Sequence, residues 1–185
     1  MRLTRSILLA AAAAAATAAC DRQADSNNVA ATDNAAEAAG DETITDGLAG
    51  DRKFAAALGA AGLDRTLDGP GPYTVLVPSD AAFDKLPAGA LDTLMKPESR
   101  AELTRLLTFH VLPGTILAED IGKAIDAGGG KASLATMGGG TLTATKEGNA
   151  IVLADSAGGK ATVTQGDDKR SNGVIHRVDG VLMPS

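Results

Sequence analysis

The sequence predicts an α+β domain built on antiparallel sheet, and two observations carry that prediction. Between Arg52 and Leu107 apolar residues recur at helical spacing. From Thr141 onward they alternate with polar residues or form short runs separated by glycine turns. Helical segments that precede hairpin-spaced strands, rather than alternating with them, define the α+β class. The chain has 185 residues, 44% of them hydrophobic, and no internal repeat, which suits one domain with a proper core.

The first 42 residues are of a different material. Arg2 and Arg5 give a positive start, Ile7 to Ala16 an apolar stretch, and Thr17-Ala18-Ala19 lead into Cys20, the single cysteine. That is the layout of a secretory signal over residues 1–19, and the apolar stretch is shorter than the roughly 20 residues that span a bilayer. From Asp21 to Glu42 six acids face one base, Arg22, and the apolar content is nearly all alanine. With so little to bury, residues 20–42 read as a disordered tether, about 25 Å long as a coil.

The domain is placed at 43–185. Phe54, Ala57, Leu58 and Ala61 share one face of a helix predicted over Arg52–Ala61, which stops at Gly62. Gly69-Pro70-Gly71-Pro72 is a loop, and Tyr73–Val77 a short apolar strand halted by Pro78. Ser79 and Asp80 are placed to cap a short helix holding Ala82 and Phe83. Leu91, Leu94 and Met95 mark another helical turn, and Pro97-Glu98 open a helix with Leu103, Leu106 and Leu107 on one face. After Pro113-Gly114 the texture reads as β throughout. Thr141–Thr145 and Ala161–Thr164 alternate, Ile151–Leu153 is a buried run, and the glycines at 138–140, 148 and 158–159 are turns.

Charge excludes one class of partner. The net charge is −6, and Lys and Arg are scattered singly except at Arg52-Lys53 and Lys169-Arg170. No basic stripe exists to follow a phosphate backbone, so nucleic acid is not expected. Enzyme motifs are poor as well. Gly128-Gly129-Gly130-Lys131 is half a phosphate loop without its leading glycine or following hydroxyl, and reads as a turn. There is no G-x-S-x-G elbow and no H-E-x-x-H zinc motif. Neither a metal nor a cofactor is expected.

Two resemblances extend this reading. The small residues before Cys20 resemble the lipobox of bacterial lipoproteins, although Thr17 stands where that family usually carries a larger apolar residue. The resemblance implies acylation of Cys20 and membrane attachment through the lipid. The alternative is a simple signal-peptidase cut that leaves a free thiol. Asp21 then resembles an inner-membrane retention signal, but that rule varies among bacteria and leaves the membrane open.

The stretches "YTVLVPSDAAFDKLP", "LLTFHVLPG" and "SNGVIHRVDGVLMP" resemble, in order and spacing, the homology blocks of the fasciclin FAS1 domain. The likeness covers Thr43 to Ser185. Phe109-His110 stands where members usually have Tyr-His, and Asn172, Gly173, His176, Asp179 and Gly180 fall in the closing strands. The resemblance implies a wedge-like antiparallel β-sandwich with helices concentrated in the N-terminal half, an exported and often anchored protein, and adhesion or matrix binding without enzymatic activity. Integrin binding is not carried over, because Gln165-Gly166-Asp167-Asp168-Lys169 does not match the animal motifs and no Arg-Gly-Asp occurs.

Asn172-Gly173 suits a turn with positive φ, and alternation in the strand that follows, Val174–Val178, places Val174, His176 and Val178 on one face, so His176 is expected to be a packed, hydrogen-bonded core residue. The same is expected of His110, at the end of a leucine-faced helix. The leading expectation is therefore a non-enzymatic adhesion or binding module at the bacterial cell envelope, in the periplasm or on the outer surface, with an envelope protein or polysaccharide as partner. A periplasmic ligand-binding carrier or sensor is the second expectation. A hydrolase or metalloenzyme built on His110 and His176 is the third.

Overall fold

The computed structural model describes residues 41–184. The signal segment, Cys20 and residues 21–40 of the tether lie outside the described residues. Two helices come first, α1 (Arg52–Ala61) and α2 (Asp64–Asp68), after a 3-10 turn at Asp46–Leu48. Strand β1 (Tyr73–Pro78) leads into α3 (Asp80–Asp84), α4 (Ala90–Leu94) and α5 (Arg100–Phe109). Then follow β2 (Val111–Pro113), α6 (Ala118–Ala127), β3 (Lys131–Ala135), β4 (Thr141–Glu147), β5 (Ala150–Ala154), β6 (Lys160–Arg170) and β7 (Gly173–Val178).

The seven strands form one sheet in the order β2-β1-β7-β6-β5-β4-β3. Every neighbouring pair is antiparallel except β1 with β7, which run parallel from Tyr73↔Gly173 to Pro78↔Val178. Both of those strands are covered on both faces, as parallel strands require. Strand β6 belongs to both halves of the sheet. Lys160–Thr162 pair with β5, the remainder pairs with β7, and two register shifts between Val163 and Asp168 bend it from one half to the other. The sheet curls until the β3–β4 turn meets β2, where Met137 N–H donates to the Val111 carbonyl at 2.7 Å.

Strand alternation divides the core in two. Val75 and Val77 of β1 and Ile175 of β7 face α1 and α5, packing with Phe54, Leu58, Leu103 and Leu107. Leu76 and Val178 face the other way, into the curl of the sheet, with Leu112, Leu134, Leu142 and Leu153. Helix α6 closes that second core with Ile121 and Ile125, and Phe109 plugs its end. An added Cβ on Gly140 would sit 2.4 Å from the Phe109 ring, so a glycine is needed for the β3–β4 turn to lie over it.

The expected helix over Arg52–Ala61 and the strand from Tyr73 are present, and five of the six described α-helices precede residue 110. Three expectations need correction. The stretch after Pro113-Gly114 is not β throughout, because Ala118–Ala127 is a helix that covers the sheet with Ile121 and Ile125. Asp80 does not cap its own helix. Ser79 does, accepting from Ala82 N–H at 3.2 Å, while Asp80 Oδ1 accepts the Lys53 N–H of α1 at 3.0 Å. The turn lies at Ser171-Asn172, and Gly173 is the first residue of β7.

Candidate functional site

The motif residues converge from distant parts of the chain, and their polar atoms are joined to backbone. Asn172 is the densest example. Its Oδ1 accepts from Ile44 N–H at 2.8 Å, and its Nδ2 donates to the carbonyls of Leu67 at 2.7 Å and Gly69 at 2.9 Å. Its own carbonyl accepts from Tyr73 N–H at 3.1 Å. One amide side chain thus fastens the domain entry, the end of α2 and the start of β1 to the β6–β7 turn. Replacing Asn172 by alanine is expected to cost about 2–3 kcal/mol, since three side-chain bonds are lost and partly buried groups are left unpaired. Urea unfolding of the variant beside wild type checks this, and an unchanged midpoint would refute the clamp.

Both histidines are fully buried. His110 follows α5, and its Nδ1 lies 2.9 Å from the Leu106 carbonyl while its Nε2 accepts from Leu182 N–H at 3.1 Å. A carbonyl only accepts and an N–H only donates, so these partners assign the neutral ring with the proton on Nδ1. His176 has the opposite tautomer: Nε2–H donates to the Ile116 carbonyl at 2.8 Å, and Nδ1 accepts from Asp167 N–H at 3.2 Å. Burial favours the neutral forms, pushing His110 down to about 4 and lowering His176 as well. Each imidazole has both nitrogens engaged by the backbone, so neither offers a lone pair to a metal or a substrate in this fold. Among the described residues no group of three or more His, Cys, Asp or Glu is placed to hold a metal ion.

Asp179 and Gly180 close the strand block. Asp179 Oδ1 accepts from Thr162 N–H at 2.6 Å, and its N–H donates to the Thr162 carbonyl at 3.1 Å. A Cβ on Gly180 would meet the Lys160 carbonyl at 2.5 Å. Sequence reasoning missed two partners of this framework. Thr74, fully buried, donates to the Gly114 carbonyl at 2.7 Å and accepts from Ile116 N–H at 2.8 Å. Asp155 accepts from Gly159 N–H at 2.7 Å and Met183 N–H at 2.8 Å. Nothing local distinguishes either residue, since Thr74 sits in an apolar run and Asp155 beside a turn.

A charged chain runs along the helix side of β6 and β7. Arg177 pairs with Asp51 at 2.9 Å and Asp168 at 3.0 Å, while Arg170 pairs with Asp168 at 2.8 Å and with Glu42. Burial pushes the Asp168 carboxyl up, but hydrogen bonds from Arg170 and Arg177 outweigh it and hold the group below its ordinary value. Glu42, at the end of the stretch assigned to the tether, is also held through its carbonyl by Ser171 N–H at 2.8 Å. Open surface is found elsewhere. Shallow grooves of about 230 and 470 Å³ flank Pro87–Gly89, and a third of about 140 Å³ lies between Leu94, Leu106 and Met183. Neither histidine lines them.

Buried histidine and threonine side chains and the half-buried Asn172 thus pin the curled sheet of this α+β fold to distant backbone. The chain belongs to the fasciclin-domain family, whose model matches residues 50–184. Protein sll1483 of Synechocystis sp. is 40% identical over 159 residues, covering 84% of this chain and 77% of its own length. Immunogenic protein MPB70 of Mycobacterium bovis is 36% identical across 62% of this chain and 51% of its own length. Transforming growth factor-beta-induced protein ig-h3 of Sus scrofa is 38% identical, but the match takes in only 17% of that protein. Among solved structures, a FAS1 domain pair from the insect cell adhesion molecule Fasciclin I aligns with a TM-score of 0.56 at 22% identity, over 72% of this chain and 45% of that one.

Proposed function

We propose that this chain is a lipid-anchored binding module of the bacterial cell envelope that acts by adhesion to an envelope protein or polysaccharide and not by catalysis. One observation carries the reading: the residues that mark the family are hydrogen-bonded into the fold, so function is left to the surface of the wedge. Fasciclin I, the insect cell adhesion molecule whose FAS1 domain pair shares this fold, supports the adhesive role. The residues around Cys20 support export and acylation of that cysteine, with residues 21–40 as the spacer. No helix among the described residues is long and apolar enough to cross a membrane. Acyl chains on Cys20 are then the element that holds the domain at a bilayer.

The test uses the full chain and Cys20→Ser in a bacterial host. Wild type is expected to partition into detergent and carry an acylated N-terminal cysteine by mass spectrometry, and the variant to stay aqueous. The aqueous variant is then titrated against separated envelope protein and polysaccharide fractions, with saturable binding expected to one of them. A mature N-terminus without lipid would overturn the anchor. Binding to neither fraction would overturn adhesion.

A further inference from the structure

His176 does more than fill a core position, because its ring joins the entry to α6 to the irregular stretch of β6. The Nε2–H holds the Ile116 carbonyl at 2.8 Å, in the segment that leads into α6. The Nδ1 lone pair holds Asp167 N–H at 3.2 Å, in the irregular part of β6 where the pairing with β7 slips between Gln165 and Asp168. Asp167 in turn caps α6, its Oδ1 accepting Ala118 N–H at 2.7 Å. It is the one non-glycine residue with positive φ among those described, at 59°, a conformation that such a residue keeps only when its surroundings hold it. The Gly166 backbone lies against the ring, so that a Cβ there would be 3.3 Å from Nδ1. Gln165, Gly166 and Asp167 are themselves exposed.

We propose that His176 is an acid switch: protonation of Nδ1 releases the Gly166–Asp168 bulge and uncaps α6, reshaping this exposed corner while the rest of the domain stays folded. In the neutral ring Nδ1 accepts. Once it carries a proton, two N–H groups confront each other and the Asp167 bond is lost. The imidazolium then needs an anion. The acids offered by the two segments that the ring bridges are Asp167 in the β6 bulge and Glu119 and Asp120 in the first turn of α6. Asp168 is committed to Arg170 and Arg177, and β1 places Leu76 opposite the ring. Asp167 is the acid whose charge acts on His176, so its carboxylate turns from Ala118 N–H to the ring. Opening stays local because Thr74 keeps its hold on Ile116 N–H at 2.8 Å. The lowered proton affinity of the buried ring places the event on the acid side of the ordinary histidine range. The inference does not depend on adhesion or on the anchor.

The experiment is amide NMR and hydrogen exchange on the ¹⁵N-labelled protein from about pH 7.5 downward, with far-ultraviolet circular dichroism reporting the global fold. At neutral pH the His176 ring nitrogens are expected to show the proton on Nε2. As the ring titrates, the Asp167 and Ala118 amides should shift with the same midpoint and lose at least about tenfold in protection, corrected for intrinsic exchange, before any loss of helix signal. His176→Gln, which keeps a donor and an acceptor but does not titrate, should abolish the transition, and Asp167→Asn should move it to lower pH. Protection that falls only with global unfolding, or an amide midpoint that does not coincide with that of the ring, overturns the proposal. The ring-to-amide comparison is made in wild type and decides the matter even where a variant does not fold.

Discussion

Gly173→Ala is expected to destabilise the domain by about 3 kcal/mol or more, enough to lower the thermal midpoint by on the order of 10 °C. The reason is backbone against backbone. A Cβ built on Gly173 falls 1.9 Å from the Tyr73 carbonyl oxygen and 2.9 Å from the Ile44 side chain. A flexible side chain could swing aside, but the Tyr73 carbonyl is fixed by the β1–β7 pairing that begins at this residue. The φ of +155° adds strain of its own, since L side chains rarely adopt it. The parallel pair is where both cores meet, so displacing its first residue disturbs both. Gly59→Ala serves as the control. It lies in α1 with nothing within 4 Å of the new Cβ, and is expected to be neutral or stabilising by up to about 1 kcal/mol. Thermal and urea unfolding of the two variants check the contrast. Equal midpoints would mean that β7 shifts freely against β1.

His110→Ala is expected to cost about 3–5 kcal/mol at neutral pH. The ring is fully buried, lies edge-on to Phe54 with centroids 6.4 Å apart, and bridges the end of α5 to the C-terminal segment. Its removal opens a cavity and strips Leu182 N–H of its acceptor. The effect depends on pH in a definite sense. Burial holds the folded-state pKa at about 4 against an ordinary value of 6.5, so between these values the unfolded chain binds more protons than the folded one. The stabilisation is therefore complete above about pH 6.5 and declines as the pH falls toward about 4. The alanine variant lacks that term. The gap between wild type and His110→Ala should be widest above about pH 6.5 and narrow on acidification, read from urea midpoints at several pH values. A gap independent of pH would mean that the ring is not buried in its neutral form.

Elements with strong local periodicity were legible from residues alone. The face Phe54, Ala57, Leu58, Ala61 marks α1 to its last residue, and the runs at Tyr73, Thr141 and Ile151 mark β1, β4 and β5. Helix α6 escaped because its buried face holds only Ile121, Gly122 and Ile125, and a glycine at the centre reads as loop. Most of β6 escaped for another reason. Thr164 to Lys169 is polar, and its strand conformation comes from backbone pairing with β7 rather than from any apolar alternation.

The sequence by itself determined the class of fold and the family blocks, because helix and strand periods and short motifs are local properties of the chain. Only the tertiary structure decided that β1 and β7, from opposite ends of the domain, lie side by side in parallel. It also decided what Asn172, Thr74, His110 and His176 hold, since nearly all their partners are backbone groups far away in the chain, and a backbone group leaves no signature in the side chains around it.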